Sequence, residues 1–119
     1  MPEKKVLESR ISNDVKIASD PHSSPKLLNE IFFHYYSNDP ASKQSKSIRR
    51  LVAENPNVDP TLMRFIVLSD NEDEFVKAGV IHNPNLDEEL LSETINRSPS
   101  DLLYLLSEGE LELRKHLRR

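Results

Sequence analysis

Three Asx-Pro pairs recur along the chain, and each directly follows a short apolar segment. They are Asp20-Pro21, Asn55-Pro56 and Asn83-Pro84. Because proline disfavours the α conformation in the residue before it, each pair predicts the end of a helix. Three residues after each of these prolines stands a side chain that can cap the start of a helix: Ser24, Asp59 and Asp87. The sequence therefore predicts a repeated corner, in which one helix ends and the next begins within a few residues.

The apolar residues around these corners keep the same register in all three copies. Pairs of leucine, or leucine and methionine, follow each proline by six and seven residues, at 27–28, 62–63 and 90–91. Apolar residues also stand four positions before each proline: Ile17, Val52 and Val80. This spacing predicts one buried stripe per helix. The unit of helix, corner and helix recurs after 35 residues (21 to 56) and after 28 residues (56 to 84), which is typical of an α-solenoid.

The two ends of the chain are predicted to be caps. Leu7, Ile11 and Val15 predict an opening helix over about 3–19, and leucines on both sides of Gly109 predict two short closing helices. Asp39-Pro40 predicts a further helix start inside a polar linker, 37–47, that is at best partly helical, and Ser98-Pro99 predicts another. We expect one all-α domain over 1–119, a short right-handed superhelix of about seven or eight helices. Its parts are an N-terminal cap helix (1–19), repeat units (20–97) and C-terminal capping helices (98–119).

The corners resemble a known repeat family. Residues 51–63 read Leu-Val-Ala-Glu-Asn-Pro-Asn-Val-Asp-Pro-Thr-Leu-Met, which resembles the leucine-rich repeat variant motif, Val-Ala-x-Asn-Pro followed by a second proline and a leucine pair. Residues 80–91 are similar, and 17–28 form a looser copy. The resemblance covers roughly 15–97 and implies a superhelix of alternating helices, related to HEAT and armadillo arrays. Repeats here are longer than is usual in that family, which implies a full α-helix as the second element. The resemblance brings no catalytic residues.

Composition excludes several classes of function. The chain has no cysteine, which excludes disulfides, thiolate metal sites and a cysteine nucleophile, and its two glycines are too few for a phosphate-binding loop. Glu30 and His34 stand one helical turn apart and could give two metal ligands, but no second pair completes a site, so we expect no metal site, no cofactor and no enzyme activity. No apolar run is long enough to span a membrane, and the first residues lack a secretory signal. We expect a cytoplasmic protein.

Apolar residues outside the buried stripe predict a binding surface. Phe33, Phe65 and Leu68 fall on the helix face opposite the stripe, where polar residues are expected. If successive second helices pack side by side, these residues form an apolar patch, and such patches mark interaction sites. Alternatively, the opening helix or the linker covers them. We predict a non-catalytic module that binds a partner protein through the ridge of second helices. The predicted binding residues are Phe33, Tyr36, Arg64, Phe65, Leu68 and Arg97.

Two other sequence features support alternative interactions. A basic cluster before the second corner could neutralise the phosphates of a nucleic acid, and it consists of Lys43, Lys46, Arg49 and Arg50. The net charge of −4 opposes general affinity for nucleic acid. The closing leucines Leu106, Leu113 and Leu117 either seal the last unit or pair with a second copy to form a homodimer.

Overall fold

The computed structural model describes the backbone of residues 2–97 and 101–117, and these residues form seven helices without a strand. The prediction of an all-α chain with about seven or eight helices is confirmed. In chain order the helices are α1 (Pro2–Ser19), α2 (Pro25–Asn38), α3 (Lys43–Glu54), α4 (Pro60–Leu68), α5 (Glu74–Ile81), α6 (Glu88–Asn96) and α7 (Asp101–Leu117).

The helices that follow the corners begin at the predicted caps. Ser24 Oγ accepts a hydrogen bond from the Leu27 N–H at the start of α2, and Asp59 Oδ1 accepts one from the Thr61 N–H at the start of α4. Asp87 caps α6 in the same way. Proline is the first residue of α2 and of α4, where its missing N–H costs no hydrogen bond because that group would have no helical partner.

Two predicted boundaries differ from the structure. Asp39-Pro40 does not start a helix: Asp39 is the C-cap of α2, and α3 begins only at Lys43, where the Ser42 hydroxyl accepts from the Ser45 N–H. The closing segment is one helix, α7, which runs through Gly109 instead of breaking there. A single glycine disfavours a helix by only about 1 kcal/mol, too little to end one of this length. The predicted start at Ser98-Pro99 lies outside the described residues.

The helices pack in two layers. In one layer α1, α3, α5 and α7 contact each other in series, and α2, α4 and α6 pack against that layer. The close approach of α3 and α5 depends on Gly79, since a Cβ there would lie only 3.1 Å from both Ala53 Cβ and the Arg50 carbonyl. The core lies between the layers and includes Leu28, Phe32, Ile48, Val52, Ile66, Val76, Val80 and Leu91.

Asparagine side chains join each Asx-Pro corner to the one before it. Asn55 Nδ2 donates to the carbonyls of Ala18 and Asp20, both at 2.9 Å. Asn83 Nδ2 donates to the carbonyls of Ala53 and Asn55, both at 2.8 Å. The accepting residues stand three and one positions before the corner proline in both cases. Both asparagines are buried. Because their acceptors hold the same positions relative to the corner proline, the two side chains make equivalent bonds in successive corners.

A second asparagine in each corner, and one arginine of α7, extend this set of bonds. Asn57 Nδ2 donates to the Ser23 carbonyl and Asn85 Nδ2 to the Pro56 carbonyl. After the last corner, the Arg114 guanidinium donates to the carbonyls of Leu86 and Asn83. In a further corner of the same kind, the two asparagines would donate to these two carbonyls. We call the five side chains Asn55, Asn57, Asn83, Asn85 and Arg114 the corner ladder.

Replacing Asn83 with alanine is expected to lower the free energy of unfolding by about 2–4 kcal/mol. The variant loses both donated bonds and the bond that Asn83 Oδ1 accepts from the Asn85 N–H, and it leaves buried carbonyls unpaired. Urea denaturation followed by circular dichroism measures the loss. Asn71→Ala, at an exposed position between α4 and α5, is the control and is expected to change stability by less than about 0.5 kcal/mol. Similar small losses in both variants would contradict the role given to the ladder.

Candidate functional site

Aromatic side chains of α2 and α4 meet at the surface of the layer that α2, α4 and α6 form. The ring centroids of Phe33 and Phe65 are 5.3 Å apart in an edge-to-face arrangement, and Tyr36 lies 5.5 Å from Phe65. Beneath them Phe32 is fully buried and lies 6.3 Å from Phe65. Phe33 is 40% exposed and Phe65 is 38% exposed. We call Phe33, Tyr36 and Phe65 the aromatic patch.

The local sequence explains why the patch faces outward. Phe32 belongs to the buried stripe of α2, one turn from Leu28, and the adjacent residue Phe33 is turned by about 100° around the helix. Phe65 stands in the same relation to the buried Ile66 on α4. Leu68, one turn beyond Phe65, packs partly against the core. The structure thus brings together the predicted aromatic residues, while Leu68 turns toward the interior.

The other predicted binding residues come from three parts of the chain: Tyr36 from α2, Arg64 from α4, and Arg97 from the end of α6. Arg64 Nη1 and Nη2 donate to the Glu93 carboxylate of α6 at 2.8 and 3.1 Å. Arg97 Nη2 lies 3.8 Å from the same carboxylate, and both arginine side chains are more than half exposed. The Tyr36 hydroxyl lies 3.3 Å from Ser69 Oγ. The Glu93 carboxylate therefore holds the guanidinium of Arg64, the residue before Phe65 on α4, and also lies near that of Arg97.

Arg49 of the predicted nucleic-acid cluster lies in the interior. It is 1% exposed, and its Nε and Nη2 donate to the Glu72 carboxylate at 3.2 and 2.9 Å. Its Nη1 donates to the Ser45 hydroxyl. A guanidinium in this position is not accessible to a phosphate group.

The other basic residues of that cluster differ in their partners. Lys46 Nζ lies 3.1 Å from Asp73, and Arg50 pairs with Glu54 at 2.7 Å while its guanidinium lies over the Phe75 ring. Burial by itself would raise the pKa of Asp73, but hydrogen bonds from the Phe75 N–H and from Lys46 lower it below its usual value. Lys43 takes part in no ion pair among the described residues. The structure does not bring the four cations together on one free surface.

An ionisable residue occupies the same interior position in each of the helices α1, α3 and α5. Asp14, Arg49 and Lys77 all stand seven residues before a corner proline, and all three are buried. The Tyr35 hydroxyl donates to the Asp14 carboxylate, as Glu72 pairs with Arg49. Sequence reasoning missed Lys77, although its register with Arg49 was visible in the corner alignment.

The closing leucines divide between the core and the surface. Leu106 packs against the core, whereas Leu113 and Leu117 are 55% and 77% exposed. α7 contacts α5 and α6, and Arg114 bonds the last corner, as expected for a capping helix. Pairing of these leucines with a second copy stays a prediction.

No protein-family model, curated protein sequence or solved structure matches the chain. Within the described residues, no three histidine, aspartate or glutamate side chains are grouped so that they could hold a metal ion. None of the described helices combines the length and the apolar character that crossing a membrane requires.

The Arg49→Met variant is expected to lose about 3–5 kcal/mol of unfolding free energy, because the Glu72 carboxylate stays buried without its cation. Replacing both residues, Arg49→Met with Glu72→Met, is expected to recover most of that loss, since apolar residues can substitute for a buried ion pair. Chemical denaturation of the two variants measures the difference. A double variant no more stable than the single one would show that the pair itself is not the reason for the loss.

The free energy of unfolding is expected to fall as the pH rises above about 10. Burial, with a smaller effect of the hydrogen bond to Asp14, raises the pKa of Tyr35 above its usual value. The unfolded chain therefore releases the phenol proton near pH ~10 while the folded protein retains it. The stabilisation is complete below that pH and is lost as the pH approaches the folded pKa.

Denaturation at intervals between about pH 8 and about pH 11 tests this pH dependence against the unperturbed tyrosine value. Tyr35→Phe is expected to flatten the fall, whereas Tyr104→Phe, at an exposed hydroxyl that pairs with Glu108, is expected to keep it. An equal fall in the wild-type protein and Tyr35→Phe would assign the effect to other groups.

Proposed function

We propose that the chain is a non-catalytic helical-repeat module that binds a partner protein through the aromatic patch. The observation that carries the proposal is the contact between Phe33 and Phe65, two phenylalanines on different helices that are each about two-fifths exposed. Single exposed apolar residues are common, but ring contact between two exposed phenylalanines of different helices makes a continuous apolar surface. Exposed aromatic clusters of this kind are typical of binding sites.

The patch is already ordered before any partner arrives. Phe65 contacts the rings of Phe32, Phe33 and Tyr36, so its position is fixed by packing on several sides. An ordered side chain loses little conformational entropy on binding, which is a general source of affinity. Arginine and aromatic side chains are also enriched at protein interfaces, and Arg64 lies next to Phe65 on α4.

The repeat architecture is the second part of the proposal. We infer that the two layers form a short right-handed superhelix like that of the leucine-rich repeat variant family, with 20–97 as repeat units. Support comes from the equivalent asparagine bonds of successive corners. The full α-helices α2, α4 and α6 agree with the long spacing. Arg114, which bonds the last corner, supports the assignment of the C-terminal segment as a cap.

The nucleic-acid alternative has less support. Arg49 is engaged in the interior, and Lys46 and Arg50 each have a carboxylate partner. Three of the four cations would thus have to exchange a carboxylate for a phosphate, which removes most of the counterion-release gain that drives such binding.

Peptide selection tests the protein-binding proposal without knowledge of the partner. A phage-displayed random peptide library is selected on the immobilised wild-type protein, and the selected peptides are titrated against variants. Phe65→Asp is expected to weaken binding by roughly 30-fold or more, the effect of losing a contact worth about 2 kcal/mol. Circular dichroism is expected to show that this variant is folded.

Phe75→Asp is the matched control for that experiment. Phe75 is also a half-exposed phenylalanine, but it lies on α5 in the other layer, where it contacts Arg50. Binding to Phe75→Asp is expected to equal that of the wild type. Equal loss in both variants, or unfolding of Phe65→Asp alone, would show that the patch is not a specific interface.

A further inference from the structure

The outer face of α7 carries apolar side chains that no other part of the described chain covers. Leu105, Leu113 and Leu117 are 64%, 55% and 77% exposed, the highest values among the large apolar side chains that the structure describes. A terminal helix that only closes a protein is expected to turn polar residues to water. α7 bonds the last corner as a cap does, but its outer face is not the polar face of a cap.

Gly109 stands in the same row as these leucines, because positions 105, 109, 113 and 117 follow one another at intervals of four residues. Glycine is a poor helix former, so its place inside an exposed helix calls for a reason. The close helix contact that explains Gly79 is missing here, since a Cβ at Gly109 would meet no neighbouring atom within 4 Å. Gly109 therefore leaves a notch that opens outward. We call Leu105, Gly109, Leu113 and Leu117 the leucine row.

The leucine row is complementary to itself when two copies lie antiparallel. Its four positions are symmetric about residue 111, so antiparallel pairing places Leu105 opposite Leu117 of the second copy and Leu113 opposite Gly109 of the second copy. A leucine of each copy thus enters the notch of the other. Each contact occurs twice by symmetry, which is the property of an isologous interface between identical chains.

The charges of α7 favour the same orientation. Between 101 and 112 the ionisable side chains other than Tyr104 are all acidic: Asp101, Glu108, Glu110 and Glu112. The last turn is basic and holds Arg114, Lys115 and His116. Antiparallel copies bring the basic end of each helix beside the acidic part of the other, whereas parallel copies would bring like charges together. The glutamates near the centre of the row are each paired with a cation of the same helix.

We propose that α7 is a dimerisation surface, on which a second copy of this chain packs its leucine row antiparallel to the first. The contact removes the exposed leucines from water, which is the favourable term in the association. The aromatic patch lies on α2 and α4, so both patches stay accessible in the dimer. The inference therefore does not rest on the proposed function, and either can fail without the other.

Sedimentation equilibrium of the full chain over a concentration series tests the inference. The wild type is expected to have twice the mass of one chain at about 100 μM, and a chain that stays monomeric up to about 1 mM would overturn the proposal. Leu113→Glu is expected to raise the dissociation constant about 100-fold or more, because it brings a carboxylate into an apolar contact. Phe75→Glu makes a similar change at an exposed phenylalanine of α5 and is expected to remain dimeric. Equal dimerisation of Leu113→Glu and Phe75→Glu would contradict the proposed surface.

Gly109→Gln tests the notch itself. The longer side chain fills the space that Leu113 of the second copy needs, and the dissociation constant is expected to rise about tenfold or more. Within one chain the glutamine has open space and replaces a poor helix former, so circular dichroism is expected to show equal or higher helix content. Should Leu113→Glu lose its helical structure, this variant decides the question. Dimerisation as tight as that of the wild type would overturn the proposed register.

Single cysteines decide the orientation of the two copies, since the chain has no cysteine of its own. Leu105→Cys and Leu117→Cys are oxidised separately and as a mixture. In the antiparallel dimer equal positions lie about 18 Å apart along the helix axis, too far for a disulfide, so only the mixture is expected to cross-link. A disulfide formed by Leu105→Cys alone would show a parallel contact and overturn the proposal. Failure of the mixture to cross-link would overturn it as well.

Discussion

The side-chain amide of the corner asparagine is the interaction on which the rest of this structure depends. A helix end leaves backbone carbonyls without helical partners, and the proline that follows has no N–H to offer them. The amide of Asn55 or Asn83 supplies two donors to the carbonyls of the preceding corner, while its oxygen accepts a backbone N–H. Each bond therefore fixes one helical pair against the previous one. α2 and α4 come to lie side by side as a consequence, which brings the aromatic rings together.

The same register also places an ionisable side chain inside each of α1, α3 and α5, with three different results. Asp14 is held by a phenol and Arg49 by a carboxylate, so both are compensated within the protein. Lys77 has neither, and it lies in the wall of a cavity next to the predicted interface. The Lys77 side chain, 4% exposed, lines the cavity wall instead of pairing with a side chain from another helix. This difference separates Lys77 from Arg49, although their positions in the repeat are the same.

The proposed interface places exposed aromatic rings next to a charged residue of α4. The aromatic patch offers preorganised apolar area, which supplies affinity with little selectivity. Arg64, the residue before Phe65 on α4, is held by the Glu93 carboxylate of α6.

The sequence by itself determined the all-α fold and most helix boundaries, because caps, prolines and apolar periodicity act over a few residues. It placed Phe33 and Phe65 opposite the buried stripe but left open whether another segment covers them. It could not place the start of α3, where Ser42 rather than Asp39 caps the helix, or the continuity of α7 through Gly109. Only the tertiary structure decided that Arg49 is buried with Glu72 and that Lys77, at the same register, lines a cavity. Those outcomes depend on which side chains from distant parts of the chain reach each charge. Local periodicity carries no information about such pairings.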